Sequence, residues 1–166
     1  MMNPGSCMAA WLCLPWGAAG AAGGATPPSH CAASAQTSFA CPTTGGRVVA
    51  LCRDADDAVV YRFGRIGVVE LQYPPSAQPH AGRMLYAQYS RYGTDRVEVR
   101  FGEQDTEYTV FDYREDGVRR AGVRLASSGG RQREIACHAP ITGHLGGLKN
   151  RLPCDADSAL NLGTCR

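Results

Sequence analysis

The placement of the cysteines constrains this chain more than any other feature. Cys41 and Cys52 bracket the start of the region that reads as folded, Cys137, Cys154 and Cys165 bracket its end, and Cys31 lies just upstream. No cysteine falls between Cys52 and Cys137, and strand-like alternation is clearest there. A β-rich body stapled at both ends, behind an apolar leader, is the pattern of an exported disulfide protein. A hairpin favours Cys41 with Cys52, Cys137 with Cys154 would tie the last strand to the C-terminal coil, and Cys165 with Cys31 would join the two ends of the domain if Cys31 survives processing, although six cysteines leave the connectivity open. Metal binding is the rival use, with His30, His138 and His144 as further ligands. The chain has no C-x2-C pair, and adjacent Cys137 and His138 chelate one ion awkwardly, so no metal is expected.

The first 35 residues contain no Lys, Arg, Asp or Glu. Met8 to Ala22 is apolar but short of the about 20 residues a membrane-spanning helix needs. It fits the apolar region of a signal peptide spanning residues 1–25, although Met1 to Ser6 lacks a cationic side chain. Two cleavage points compete, after Ala25 and after Ala35. The Ala33-Ser34-Ala35 pattern favours the second. Cysteine parity favours the first, which keeps Cys31 and an even set. Neither Cys7 nor Cys13 follows a lipid-attachment pattern. Residues 26–37 then form a linker and residues 38–166 a single β-rich domain.

From Ser38 onward the chain reads as short strands between turn residues. Gly45-Gly46 closes a hairpin between Ser38 to Cys41 and Arg47 to Cys52. Ala58 to Phe63 places Val59, Tyr61 and Phe63 on one face, and Gly67 to Tyr73 does so with Val69, Leu71 and Tyr73 before stopping at Pro74-Pro75. Ser76 to Gly82 is a polar loop. Arg83 to Tyr92 is ambiguous, because Tyr86, Tyr89 and Tyr92 recur at helical spacing inside a β-rich stretch. Val97, Val99 and Phe101 alternating with Arg96, Glu98 and Arg100 predict an antiparallel strand with one wet face. Asp116-Gly117 turns Thr106 to Arg114 into Gly117 to Ala126, and Gly129-Gly130 leads to Gln132 to Cys137. Beyond Pro140 the period is lost; short helical turns are expected in His144 to Leu152 and, from Asp157, up to Gly163. The fold expected is all-β, an antiparallel sandwich or barrel of about seven to nine strands with an irregular or helical C-terminal segment.

A net charge of +2 over 166 residues gives no case for a nucleic-acid partner. The basic residues are sixteen arginines and a single lysine, Lys149. No motif for a serine hydrolase, zinc protease, dinucleotide site or phosphate loop is present, and no cofactor is expected. A hydrolytic site would have to use one of four histidines, His30, His80, His138 or His144. Glu98, Glu103, Glu107 and Asp112 offer a conceivable glycosidase pair, but ordinary cross-strand charge pairing explains Glu98. Asp54 to Asp57 and Asp155 to Asp157 resemble calcium loops only in part, since neither continues into the loop's glycine. The remaining candidate is a binding surface of Tyr86, Tyr89, Arg91, Tyr92, Arg96 and Arg100, residue types enriched where proteins meet partners. An envelope protein or an anionic glycan would suit it.

Several stretches together resemble a group of small exported proteobacterial proteins of unknown function. They are Ser38 to Gly46, Leu51-Cys52, Tyr61 to Gly64, Val69 to Leu71, Tyr108 to Phe111, Ala121 to Val123 and Pro153 to Leu162. The resemblance implies export and a common β fold, and it brings no activity and no functional residues. Periplasmic lysozyme inhibitors are similar in architecture, but their inhibitory loops have no counterpart here.

The function expected is an exported, non-catalytic binding or inhibitor module of the cell envelope, periplasmic or secreted. A small cell-wall hydrolase using His138 or His144 with a carboxylate is the alternative, and a structural envelope protein the third. On this reading, protein recovered from the periplasm has an intact mass that starts near Thr26. Its mass rises by six hydrogens on reduction, one for each of the six cysteines that remain. An unprocessed chain with free thiols would overturn the assignment to an oxidising compartment.

Overall fold

The computed structural model describes Met1, residues 28–76, residues 83–163 and Cys165. The leader, both leader cysteines and the loop carrying His80 lie outside the described residues. Two five-stranded antiparallel sheets make a sandwich. The first is built from β1 (Gln36–Thr43), β2 (Arg47–Arg53), β3 (Val59–Arg65) and β4 (Val68–Tyr73). The second is a meander of β5 (Leu85–Arg91), β6 (Thr94–Glu103), β7 (Thr106–Glu115), β8 (Val118–Ser127) and β9 (Gln132–Ala136). The chain then returns to the first sheet, where the two-residue β10 (Thr142–Gly143) pairs with the free side of β1. The ambiguous tyrosine segment is therefore a strand.

Alternation decides the core. Val97, Val99 and Phe101 of β6 face Phe39, Val49, Leu51 and Tyr61 of the first sheet, and all are buried. Phe101 is the centre of an aromatic stack, 4.4 Å from Tyr73 and 5.1 Å from Tyr108 between ring centroids. Two leucines of a 3-10 turn, Leu145 and Leu148, plug the sandwich and are fully buried. Val69 does not join Leu71 and Tyr73 in the core, because a bulge at Phe63 and Gly64 ends the regular register before it. The hairpin at Asp116-Gly117 has both residues in the left-handed region, as a two-residue turn between twisted strands requires.

Three disulfides form from the six cysteines, but none of the favoured pairings is among them. The bonds are Cys31–Cys52, Cys41–Cys137 and Cys154–Cys165. Strand geometry explains the first error. Cys41 lies opposite Val49 in the core, whereas Cys52 follows Leu51 and points to the outer face. Residues on opposite faces of one sheet cannot be bridged, however short the hairpin between them. On that outer face Cys52 meets Cys31, and with Ala35, Ala40 and Ala50 they form a second small apolar cluster. The stretch expected to be a linker is thus tied to the body. Ser29 bonds to Thr37, and the His30 ring meets the Gly64 carbonyl at 2.9 Å.

Cys137 is unavailable to Cys154 because it sits where the chain crosses between sheets. Its amide donates to Ala121 of β8, while the next amide, of His138, donates to Pro42 of β1. Its sulfur bonds Cys41, which makes this disulfide the covalent joint between the sheets. Chain entropy ranks the three bonds by the loops they close, with sequence separations of 96, 21 and 11 for Cys41–Cys137, Cys31–Cys52 and Cys154–Cys165. Replacing Cys41 and Cys137 together by Ala is expected to cost about 2–5 kcal/mol. Replacing Cys154 and Cys165 should cost least. Urea denaturation of the three double variants checks the order.

Candidate functional site

A cavity of about 610 Å³ opens along β5. Its existence follows from how the C-terminal segment protects that edge strand. An uncovered edge offers unpaired backbone groups to other chains. Here Tyr86 donates its amide to Pro153 at 2.8 Å and accepts from Asp155 at 2.8 Å, so residues 153–155 run beside β5 as a short parallel strand. Two side chains lock this arrangement. Asp155, 2 % exposed, takes Arg100 Nε at 2.6 Å and Nη2 at 2.5 Å. Those hydrogen bonds hold the Arg100 guanidinium more firmly protonated than usual. Asn161 accepts from the Gln88 amide at 3.1 Å and donates to the Asp155 carbonyl at 2.8 Å.

Beyond Asp155 the chain turns away through a short 3-10 turn at Ala159–Asn161, capped by Ser158, whose hydroxyl accepts from Leu160. Cys154–Cys165 closes this excursion. The cavity is the space left between the excursion, β5 and the turn after Leu148. Tyr86, Gln88, Tyr89 and Ser90 form its floor on β5. Leu160, Asn161 and Leu162 form one wall, Lys149 and Asn150 another. Among the described residues that line it there is no carboxylate. The Lys149 ammonium, the only one on a side chain in the sequence, makes no ion pair with any described residue. The cavity therefore presents amides, hydroxyls, aromatic side chains and an ammonium that no described residue pairs.

The six residues singled out as a surface fall into three places. Tyr86 lies on the core side of β5, 4 % exposed, with its hydroxyl donating to Gln88 Oε1 at 3.0 Å. Tyr89 is half-buried and lines the cavity with it. Arg91 and Tyr92 are exposed at the turn between β5 and β6. Arg96 and Arg100 stand on the outer face of the second sheet, already engaged. Arg96 donates to Glu115 at 2.6 Å and stacks over Tyr113, while Arg100 holds Asp155 and Glu107.

That outer face is a packed layer in its own right. Phe111 is only 4 % exposed although nothing but side chains covers it. Arg124 lies over its ring at 4.6 Å, and the ring fills the space opposite Gly122, where a Cβ would come within 2.9 Å of Phe111 Cζ. Glu98 accepts from Arg124 at 3.1 Å and from the Tyr113 hydroxyl, which accounts for it as a charge-pairing residue.

Of the histidines, His138 is exposed and His144 borders a cleft of about 170 Å³ with Asp95, Asp112 and Arg114. Both carboxylates are committed. Asp112 is gripped by Arg119 at 2.8 and 2.9 Å, and Asp95 accepts from Gln88 and Ser90. Asp57, at the end of the first acidic run, is held by Arg53 and Arg151. Among the described residues no group of three or more His, Cys, Asp or Glu side chains is placed to hold a metal. Compared with known proteins, the chain matches no family model, no curated protein and no solved structure.

Sequence reasoning passed over Lys149 and Asn161. The signal for the first was present, one lysine among sixteen arginines. Asn161 gave none, because its role depends on where β5 lies.

Burial, and then the nearby Asp95, push the Tyr86 phenol from an ordinary 10.0 up to about 12. The native state thus holds this proton more tightly than the unfolded chain. The associated stability is fully present below pH 10 and is lost as pH rises through 12. Denaturation midpoints should fall over that window, and less steeply in Tyr86→Phe. Tyr113, also pushed to about 12, and the phenols of Tyr61 and Tyr108, raised by burial, supply the part that remains.

Proposed function

We propose that this protein is an exported, non-catalytic binding module of the cell envelope and that it holds an anionic glycan in the cavity along β5. It would belong with the small exported proteobacterial proteins it resembles. Three disulfides suit an oxidising compartment. The Cys31–Cys52 bond supports cleavage after Ala25, because cleavage after Ala35 would leave Cys52 without its partner.

One observation carries the choice of ligand. A roomy cavity of mixed polar and apolar lining has Lys149 at its wall, and no described carboxylate in that lining neutralises the ammonium. Sugars are bound by amide and hydroxyl hydrogen bonds with an aromatic ring against a ring face, and Asn150 and Tyr89 line the cavity to supply these, while Gln88 and Ser90 are held on the floor by their bonds to Asp95. Lys149 then supplies the charge-assisted bond that selects a carboxylate-bearing sugar over a neutral one. The cavity walls are fixed by Arg100–Asp155 and by Cys154–Cys165, so little ordering is needed on binding.

Calorimetric titration with a soluble peptidoglycan fragment carrying muramic-acid carboxylates tests this, with a neutral N-acetylglucosamine oligomer as control. The charged fragment should bind more tightly. Lys149→Gln should weaken it about tenfold or more, the worth of a hydrogen bond to a charged group, and leave the neutral oligomer unchanged. Equal affinity of the wild type and Lys149→Gln for the charged fragment would overturn the proposal. Release of cleaved sugars that depends on His144 would instead favour the hydrolase reading.

A further inference from the structure

Among the described residues, large aliphatic side chains are exposed together at one place. Ile66, Val68 and Val69, at the tip of the β3–β4 hairpin, are 56 %, 60 % and 45 % exposed, whereas Tyr92, Val118 and Leu162 are exposed on other turns. The tip lies at the outer edge of the first sheet, since β4 pairs only with β3. Its shape is built in. Gly64 takes a backbone conformation that brings its Cβ position within 2.2 Å of the Val68 carbonyl, so only glycine fits, and the bulge there carries the tip out of the core register.

Two features decide what could cover these side chains. Successive strand residues point to opposite faces, so Val68 and Val69 present apolar surface on both sides of the ribbon, with Ile66 at its end. A neighbouring copy adding a strand to β4, or a flat partner, would cover one side and leave the other wet. Three side chains also fall far short of the roughly 1,000 Å² that a specific protein interface requires. A lipid interface has neither restriction, because it closes around an inserted tip from all sides and needs only a few apolar groups with a cationic collar.

The collar is present. Arg65, exposed, lies opposite Val68 across the hairpin and makes no ion pair with any described residue. Glu70, the nearest acidic residue along the strand, is neutralised by Arg47 at 2.8 Å. The local charge is therefore positive and complementary to anionic headgroups.

We propose that the β3–β4 hairpin tip docks this protein on an anionic bilayer surface. Ile66, Val68 and Val69 enter the headgroup boundary, and Arg65 meets the lipid phosphates. Insertion of a single turn is shallow, so the turn's backbone stays at a depth where water still satisfies it. No helix among the described residues is long and apolar enough to cross a membrane, and this contact does not span one. It is independent of the cavity along β5, which lies in the other sheet.

Flotation of the oxidised protein with vesicles of phosphatidylglycerol and phosphatidylcholine, against phosphatidylcholine alone, provides the test. The wild type should float with the anionic vesicles, and less so as salt rises. The triple variant Ile66→Ser, Val68→Ser, Val69→Ser should lose at least about tenfold in partitioning. Arg65→Gln should lose severalfold on anionic vesicles only. All four sites are exposed, and unchanged urea midpoints will show that the variants fold. Failure of the wild type to float, or flotation equal in wild type and triple variant, would overturn the proposal. A wild-type dimer that becomes a monomer in the triple variant, without flotation, would assign the tip to a second copy instead.

Discussion

The structure hangs on the Cys41–Cys137 bond. Within each sheet the strands are held to their neighbours by backbone hydrogen bonds, whereas the two sheets pack on each other mainly through the side chains of the core. At Cys137 the chain leaves the second sheet, forms a bridge to Thr43 and acquires a covalent tie to β1. Everything downstream is placed from that point. The next residues carry β10 to the free side of β1 and then drive Leu145 and Leu148 into the open end of the sandwich. The buried pair Asp112–Arg119 reads this placement from the other side. Arg119 also donates to the Gly143 carbonyl at 2.7 Å, and Asp112 accepts from the Leu145 amide. An ion pair in that position adds little net stability but fixes one register for the returning chain.

The cavity along β5 is a consequence of the same route. After the leucine plug, the chain must reach the far edge of the second sheet, and it does so through Lys149 and Asn150 before pairing with Tyr86. Covering an edge strand and then turning away leaves a concave gap, whose lining comes from three stretches distant in sequence. Arg100–Asp155 makes that cover rigid, since removing Arg100 would leave the buried Asp155 carboxylate without compensation. A binding site thus arises from edge protection, and the residues that hold it open are not those that would touch a ligand.

How much of this was legible in the sequence depends on the range of the forces involved. Local patterns carried far: the alternation in β6, the Asp116-Gly117 turn and the break at Pro74 placed the strands and the all-β class. The disulfides show where local reasoning stops. The hairpin favoured Cys41 with Cys52, but the face of the sheet on which each points was decisive. The count depends on the turn: a two-residue turn at Gly45-Gly46 would put both cysteines on one face, whereas the actual three-residue loop pairs Thr43 with Arg47 and puts them on opposite faces. No such count could bring Cys41 to Cys137, because that contact needs the packing of both sheets. The tyrosine and arginine set failed as a single surface for a related reason. Tyr86 and Tyr89 share a strand but not a face, and Arg96 and Arg100 look available in sequence while Glu115 and Asp155 occupy them in space.

The four sheet edges show which surfaces the chain hides and which it leaves. The free side of β1 is covered by β10, and that of β5 by residues 153–155. The two remaining edges, β4 and β9, are treated differently. Along β9 the exposed side chains include Gln132, Arg133 and Glu134, and charges on an edge discourage pairing with another chain. At the tip of β4 the exposed side chains are aliphatic instead. A sequence that guards three of its edges by cover or by charge had the same means available at the fourth. Ile66, Val68 and Val69 stand outside the core cluster, so polar side chains there would leave the core intact. The aliphatic tip is therefore not needed to fill the core, which is what the proposed docking role would account for.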